Sequence, residues 1–153
     1  MNRRSFFLSC GVAWYAARWL PAVGEDSYQT EAQMLARRRL LESVRRLGTE
    51  GWRPREGTVV MTLPVGEARL VPVMLARGNR YLFLCHFRPS GAQVQLTVLD
   101  SQRRLVGTGP PLGDSGYVGV EFSPAVSGRY FLRLNLPADS PADAALALGY
   151  LFK

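Results

Sequence analysis

Arg129-Tyr130-Phe131-Leu132-Arg133-Leu134-Asn135-Leu136 decides the fold. Tyr130, Leu132, Leu134 and Leu136 fall on one side of a period of two, and Arg129, Arg133 and Asn135 on the other, so one face of a strand is buried and one is wet. Gln93-Val94-Gln95-Leu96-Thr97-Val98 repeats the pattern. Turn residues punctuate the chain at short intervals on either side: Gly91, Gly109-Pro110-Pro111, Gly113-Asp114-Ser115-Gly116 and Ser127-Gly128. Eight strands are expected, near 58–63, 67–75, 79–87, 92–99, 103–107, 117–122, 128–136 and 144–152. Such a series predicts a mainly β domain, an antiparallel two-sheet β-sandwich of jelly-roll type over 57–153. Pro72 cannot donate to a ladder, which makes the second strand an edge strand or a bulged one. Leu146, Leu148, Tyr150 and Phe152 share one face of the last strand.

Upstream the period changes to that of a helix. Across 29–47, Ala36, Leu40, Val44 and Leu47 form one stripe, with Met34 and Leu41 beside it. Thr30 with Gln33 three residues on makes a capping box, Ser27 is an alternative cap, and Gly48 suits the position just past the end. Arg37, Arg38, Arg39, Arg45 and Arg46 give this amphipathic helix a basic outer surface. Residues 48–57, with Trp52 and Pro54, read as the joint between helix and sandwich, the two parts together occupying 25–56, with Trp52 pinning the joint.

The first 24 residues read as a cleavable signal. A basic start (Arg3, Arg4) precedes an apolar run from Phe6 to Ala17, and Arg18 interrupts that run before it reaches the ~20 residues of a membrane span. Small residues at Ala22 and Gly24 place the cut after Gly24. Arg3, Arg4, Ser5, Phe6 and Phe7 resemble a twin-arginine export signal, with Asn2 and Leu8 departing from the usual pattern. An ordinary secretory signal is the alternative. Either destination is periplasmic or secreted. Cys10 follows too few apolar residues to be a lipoprotein cysteine.

Composition then narrows the chemistry. The chain of 153 residues carries 19 Lys and Arg against 12 Asp and Glu; loss of Arg3, Arg4 and Arg18 with the signal lowers the net charge from +7 to +4. Cys85 is then the one remaining cysteine, so no internal disulfide forms, and its apolar neighbours mark it as a buried small hydrophobe. His86 is the single histidine. Any Ser-His-Asp or Cys-His centre would have to use it, yet adjacent Cys85 must face the opposite side of the strand. One histidine and one cysteine do not make a zinc site. Asp100, Asp114, Glu121, Asp139 and Asp143 are scattered, which suits turns and caps better than the six to eight oxygens of calcium, and pairs no carboxylates for hydrolysis. The spacings Gly107-x-Gly109 and Gly113-x-x-Gly116 precede no helix and read as sandwich turns, not nucleotide loops. No cofactor is expected.

Gly78-Asn79-Arg80-Tyr81, Val94 to Asp100, Val118-Gly119-Val120-Glu121-Phe122 and Ser127-Gly128-Arg129-Tyr130 together resemble the bacterial pre-peptidase C-terminal domain across roughly residues 57–152. That resemblance implies a small β-sandwich appended to secreted enzymes or surface proteins, helping in secretion, binding or attachment without being a catalyst. Ala92-Gln93 stands where many relatives carry aspartates, so their calcium binding is not carried over.

The expected function is an exported, non-enzymatic accessory or binding domain facing a protein, glycan or envelope surface, and not nucleic acid. Arg129, Arg133 and Tyr117, the last beside the 109–116 loop, are the contact residues on the sandwich. Arg37, Arg38 and Arg39 are those on the helix, where solvation alone would also account for them. Two alternatives remain: a small hydrolase using His86 with a serine or Asp114, and a membrane-surface or assembly factor whose arginine-rich helix meets anionic phospholipid.

Overall fold

The computed structural model describes residues 28–109 and 116–153. The export-signal residues Arg3, Arg4 and Phe6, the cut after Gly24 and the alternative cap Ser27 lie outside the described residues, as do Pro110 to Ser115.

A helix α1 (Glu31–Gly48) is followed by nine strands: β1 (Arg53–Pro54), β2 (Val59–Leu63), β3 (Ala68–Leu75), β4 (Tyr81–Arg88), β5 (Gln95–Leu99), β6 (Leu105–Thr108), β7 (Tyr117–Phe122), β8 (Gly128–Asn135) and β9 (Ala144–Phe152). All eight expected strands are present; β1 is an added two-residue strand within the joint. One sheet runs β2-β9-β4-β7, with β1 on the same edge of β9 as β2, and the other runs β3-β8-β5-β6. Successive strands from β2 to β5 alternate between the sheets, and every described pairing is antiparallel. That is the strand order of a jelly roll. Pro72 sits on β3, an edge strand, as its missing N–H requires.

The interior between the sheets is hydrocarbon. Phe83, Cys85, Leu146 and Leu148 of the first sheet meet Leu96, Val98, Leu132 and Leu134 of the second, all nearly or fully buried. Each such aliphatic or aromatic side chain contributes about 1.5–3 kcal/mol relative to exposure. Ser140 is the only buried polar residue among those described, and its hydroxyl donates to the Ala142 carbonyl at 3.4 Å. Tyr130 reaches back to donate to the Val126 carbonyl at 2.7 Å, fixing the turn that enters β8 in the manner of a tyrosine corner. Gly109 follows β6, where a Cβ would overlap the Gly119 carbonyl of β7. Close approach of two strand backbones accounts for that glycine, and Gly107 lies within β6 instead of in a turn.

α1 begins as its sequence dictates. Thr30 accepts from the Gln33 N–H and Gln33 reaches back to the Thr30 N–H, a complete capping box. Its far end differs by one residue: Gly48 is the last helical residue and Thr49 caps it, donating from its hydroxyl to the Arg46 carbonyl at 2.7 Å. Ala36, Leu40, Val44 and Leu47 pack on Leu84, Ala147 and Val60, the outer side of the first sheet. Met34 and Leu41, beside that stripe, stay about half exposed. Leu40 is seated against Gly149, where a Cβ would stand 3.2 Å from its Cδ2. Trp52 is buried at the joint, with the Lys153 ammonium 4.5 Å and the Arg80 guanidinium 5.7 Å from its ring centre, so cation–π attraction ties helix exit, β4 and β9 together.

Candidate functional site

Strand alternation places Leu82, Leu84 and His86 of β4 on the helix side of the first sheet, and Cys85 in the core. Burial pushes the Cys85 thiol far above its usual range, which keeps it protonated and unreactive. His86 is different. Its Nε2 lies 2.9 Å from the Ser43 hydroxyl of α1, and its ring stacks on Tyr117 of the neighbouring strand at 5.4 Å and 28°. Together these groups line a cleft of about 590 Å³ between helix and sheet, with Arg39 and Arg46 on the helix side and Arg88 at the end of β4.

Burial, then the positive charges of Arg39 and Arg46, lower the His86 pKa to about 4, against a smaller opposite pull from Glu42. The imidazole is therefore neutral at pH 7 and a poor proton acceptor. A hydrolytic serine needs the reverse, a base held near neutrality and oriented by an acid. The only hydrogen bond found for the His86 ring among the described residues is to Ser43, and Glu42 is held by Arg39 at 3.6 Å and Arg38 at 3.9 Å. The Ser43–His86 pair is a contact between helix and sheet, without the geometry of an activated nucleophile. Asp114, the other group considered with His86, lies outside the described residues.

Asp100, Glu121 and Asp143 have local duties. Asp100 accepts from the Gln102 and Arg104 N–H groups and from the Arg104 guanidinium, each at 2.9 Å, and these bonds, the Arg104 N–H foremost, hold its carboxyl below the usual range. Asp143 accepts from the Val65 N–H. Glu121 pairs with Arg80 at 2.7 Å. Among the described residues no group of three His, Cys, Asp or Glu side chains could hold a metal ion.

Arg129 and Arg133 lie elsewhere, on the outer side of the second sheet, which α1 does not cover. The register sets Pro72, Phe131, Leu99 and Leu105 in one row across all four strands, with Pro72 and Leu105 exposed, Phe131 half-buried and Leu99 buried among its neighbours. Arg129 and Arg103 place their guanidinium carbons 5.4 and 5.7 Å from the Phe131 ring centre, one from the strand itself and one from the turn before β6, where Arg103 adopts φ 62°. Met74 pairs with Arg129 and Leu70 with Arg133, and both apolar side chains are exposed.

The expected contact residues thus separate into two places. Arg129 and Arg133 sit on the bare face; Arg39 sits in the cleft on the opposite side of the sandwich, and Arg37 and Arg38 are exposed along the helix near it. Tyr117 lines the cleft with His86, because β7 pairs with β4 and sets Tyr117 opposite His86; residues 110–115 of the loop that precedes it lie outside the described residues. Sequence reading missed Ser43, Arg46 and Arg88. The spacing Arg39, Glu42, Ser43, Arg46, one helix face adjoining the stripe 36, 40, 44, 47, was the available signal. No helix among the described residues is long and apolar enough to cross a membrane. The apolar stripe of α1 is already covered by the sheet, which leaves Met34, Leu41 and the arginines for any lipid surface.

The fold defines the chain as a jelly-roll β-sandwich with one face covered by a basic helix. No family model and no curated protein matches it. Among solved structures it is similar to Aeromonas hydrophila PliG, a periplasmic lysozyme inhibitor of g-type lysozyme, with 10% identity, a TM-score of 0.48, and coverage of 68% of this chain and 90% of that chain.

Proposed function

We propose that the protein is an exported, non-catalytic binding domain that docks an acidic protein surface against the bare face of its second sheet. The observation that carries this reading is the row Pro72, Phe131, Leu99, Leu105, with two guanidinium groups over its aromatic ring. Aromatic, Met and Arg side chains grouped on an exposed surface are the composition of interface centres. Charge supports the same choice. The outward positions of these strands carry Arg129 and Arg133 and no acid, while nearby Glu67 and Asp100 are already paired with Arg69 and Arg104. Carboxylates on a partner would meet arginines without an internal competitor, which raises encounter rate and fixes register. Export rests on the first 24 residues, and an appendage role agrees with the resemblance to pre-peptidase C-terminal domains. Against catalysis stand the neutral imidazole, with no orienting acid among the described residues, and the buried, protonated thiol.

A photo-crosslinking residue placed at Thr97 or Leu105 tests the face in intact cells. One defined cross-linked species is expected, lost when Arg129→Glu and Arg133→Glu are combined, and absent when the probe sits at Arg55 near the opposite sheet. A species that survives the double reversal, or none at all, removes this face from the account.

A further inference from the structure

The cleft between α1 and the first sheet is a second site, and its chemistry differs from that of the bare face. We propose that it binds an acidic sugar, its charged group held by Arg46 and Arg88 and its ring lying along the stacked His86 and Tyr117 side chains. The volume of about 590 Å³ suits a small ligand, within the roughly 300–1,000 Å³ of such clefts.

Three arginines from two elements face the space, Arg39 and Arg46 from α1 and Arg88 from β4, against one acid, Glu42. Glu42 engages Arg38 and Arg39. Arg46 and Arg88 have no ion-pair partner among the described residues, so the described lining of the cleft carries an excess of positive charge. Guanidinium groups recognise carboxylate or phosphate through paired N–H donors. An inorganic anion would use only that half of the cleft. The remaining wall is the His86–Tyr117 stack at 5.4 Å, a flat ring surface onto which the C–H face of a sugar ring packs. The Ser43 hydroxyl and Glu42 carboxylate then offer acceptors for ring hydroxyls. This inference is independent of the partner proposed for the second sheet.

A single histidine in the whole chain makes the test direct. His86 ring signals are followed by NMR in the purified protein during titration with glucuronate, glucose 6-phosphate, inorganic phosphate and glucose. One or both acidic sugars should shift the signals saturably, glucuronate alone marking a carboxylate site and glucose 6-phosphate alone a phosphate site. Linkage then requires the imidazole pKa to rise on binding, because the bound anion offsets Arg39, Arg46 and Arg88 around it, with Glu42 and Tyr117 unchanged. Phosphate alone should bind at least tenfold more weakly, and glucose should not bind. Combining Arg46→Gln with Arg88→Gln should weaken binding tenfold or more with an unchanged far-UV spectrum, whereas Arg129→Glu with Arg133→Glu should leave the titration as it was. The proposal is overturned if inorganic phosphate or glucose binds as tightly as the acidic sugars, or if none of the four moves the His86 signals.

Discussion

The two outer faces of the sandwich are made of the same secondary structure and treated oppositely. On the first sheet, Ala147 and Gly149 are small enough for Leu40 and Ala36 to come down onto the strands, and the helix buries that face. On the second, the equivalent positions carry Arg129, Phe131 and Arg133, side chains too long for a helix to approach and suited to meeting something from solution. Side-chain size at alternate strand positions decides which face becomes core and which becomes surface.

Four changes test that contrast, taken from the largest expected effect to the smallest. Leu40→Ala empties the centre of the covered face and should cost about 2–5 kcal/mol in denaturant unfolding; a loss below 1 kcal/mol would mean the helix is not a structural part of the domain. Gly149→Val drives a branched side chain into Leu40, and about 1–3 kcal/mol should be lost, partly recovered by Leu40→Ala in the same chain. The third change concerns pH. A folded His86 pKa near 4 against 6.5 unfolded means the unfolded chain binds the extra proton, so stability is complete above pH 6.5 and declines as pH falls toward 4. For a partly exposed ring the decline should be about 1–2 kcal/mol after solvent screening, and His86→Gln should remove that part of the pH dependence. An unaltered profile in the variant would place the imidazole in open solvent. Met74→Ser on the bare face should leave stability within about 0.5 kcal/mol while weakening the cross-link described above; a large loss of stability would assign Met74 to the core.

Much of this contrast is present in the residues. β8 alternates strictly, as a strand wet on one side must, whereas Ala144-Ala145-Leu146-Ala147-Leu148-Gly149 is apolar on both sides, the pattern of a strand covered twice. β4, with Leu82 and Leu84 opposite Phe83 and Cys85, reads the same way. Strand limits, the edge position of Pro72 and the capping box were legible because each depends on neighbours along the chain. The cleft was not. Ser43 meets His86 across 43 residues, and their meeting depends on how the helix is rotated over the sheet, a quantity set by Leu40 against Gly149. Helical spacing held an unread signal, Arg39 and Arg46 on one face; nothing local connected them with Arg88.

Strand order also governs when the domain can come into being. β9 lies between β2 and β4, pairing Leu63 with Ala144 on one side and Arg88 with Ala145 on the other. During synthesis the centre of this layer therefore emerges after both of its neighbours, and helix, β2 and β4 wait without a floor beneath them. A nascent chain stopped at Pro137 should remain open to protease along its whole length, so the ribosome must release nearly the entire domain before any of it gains protection.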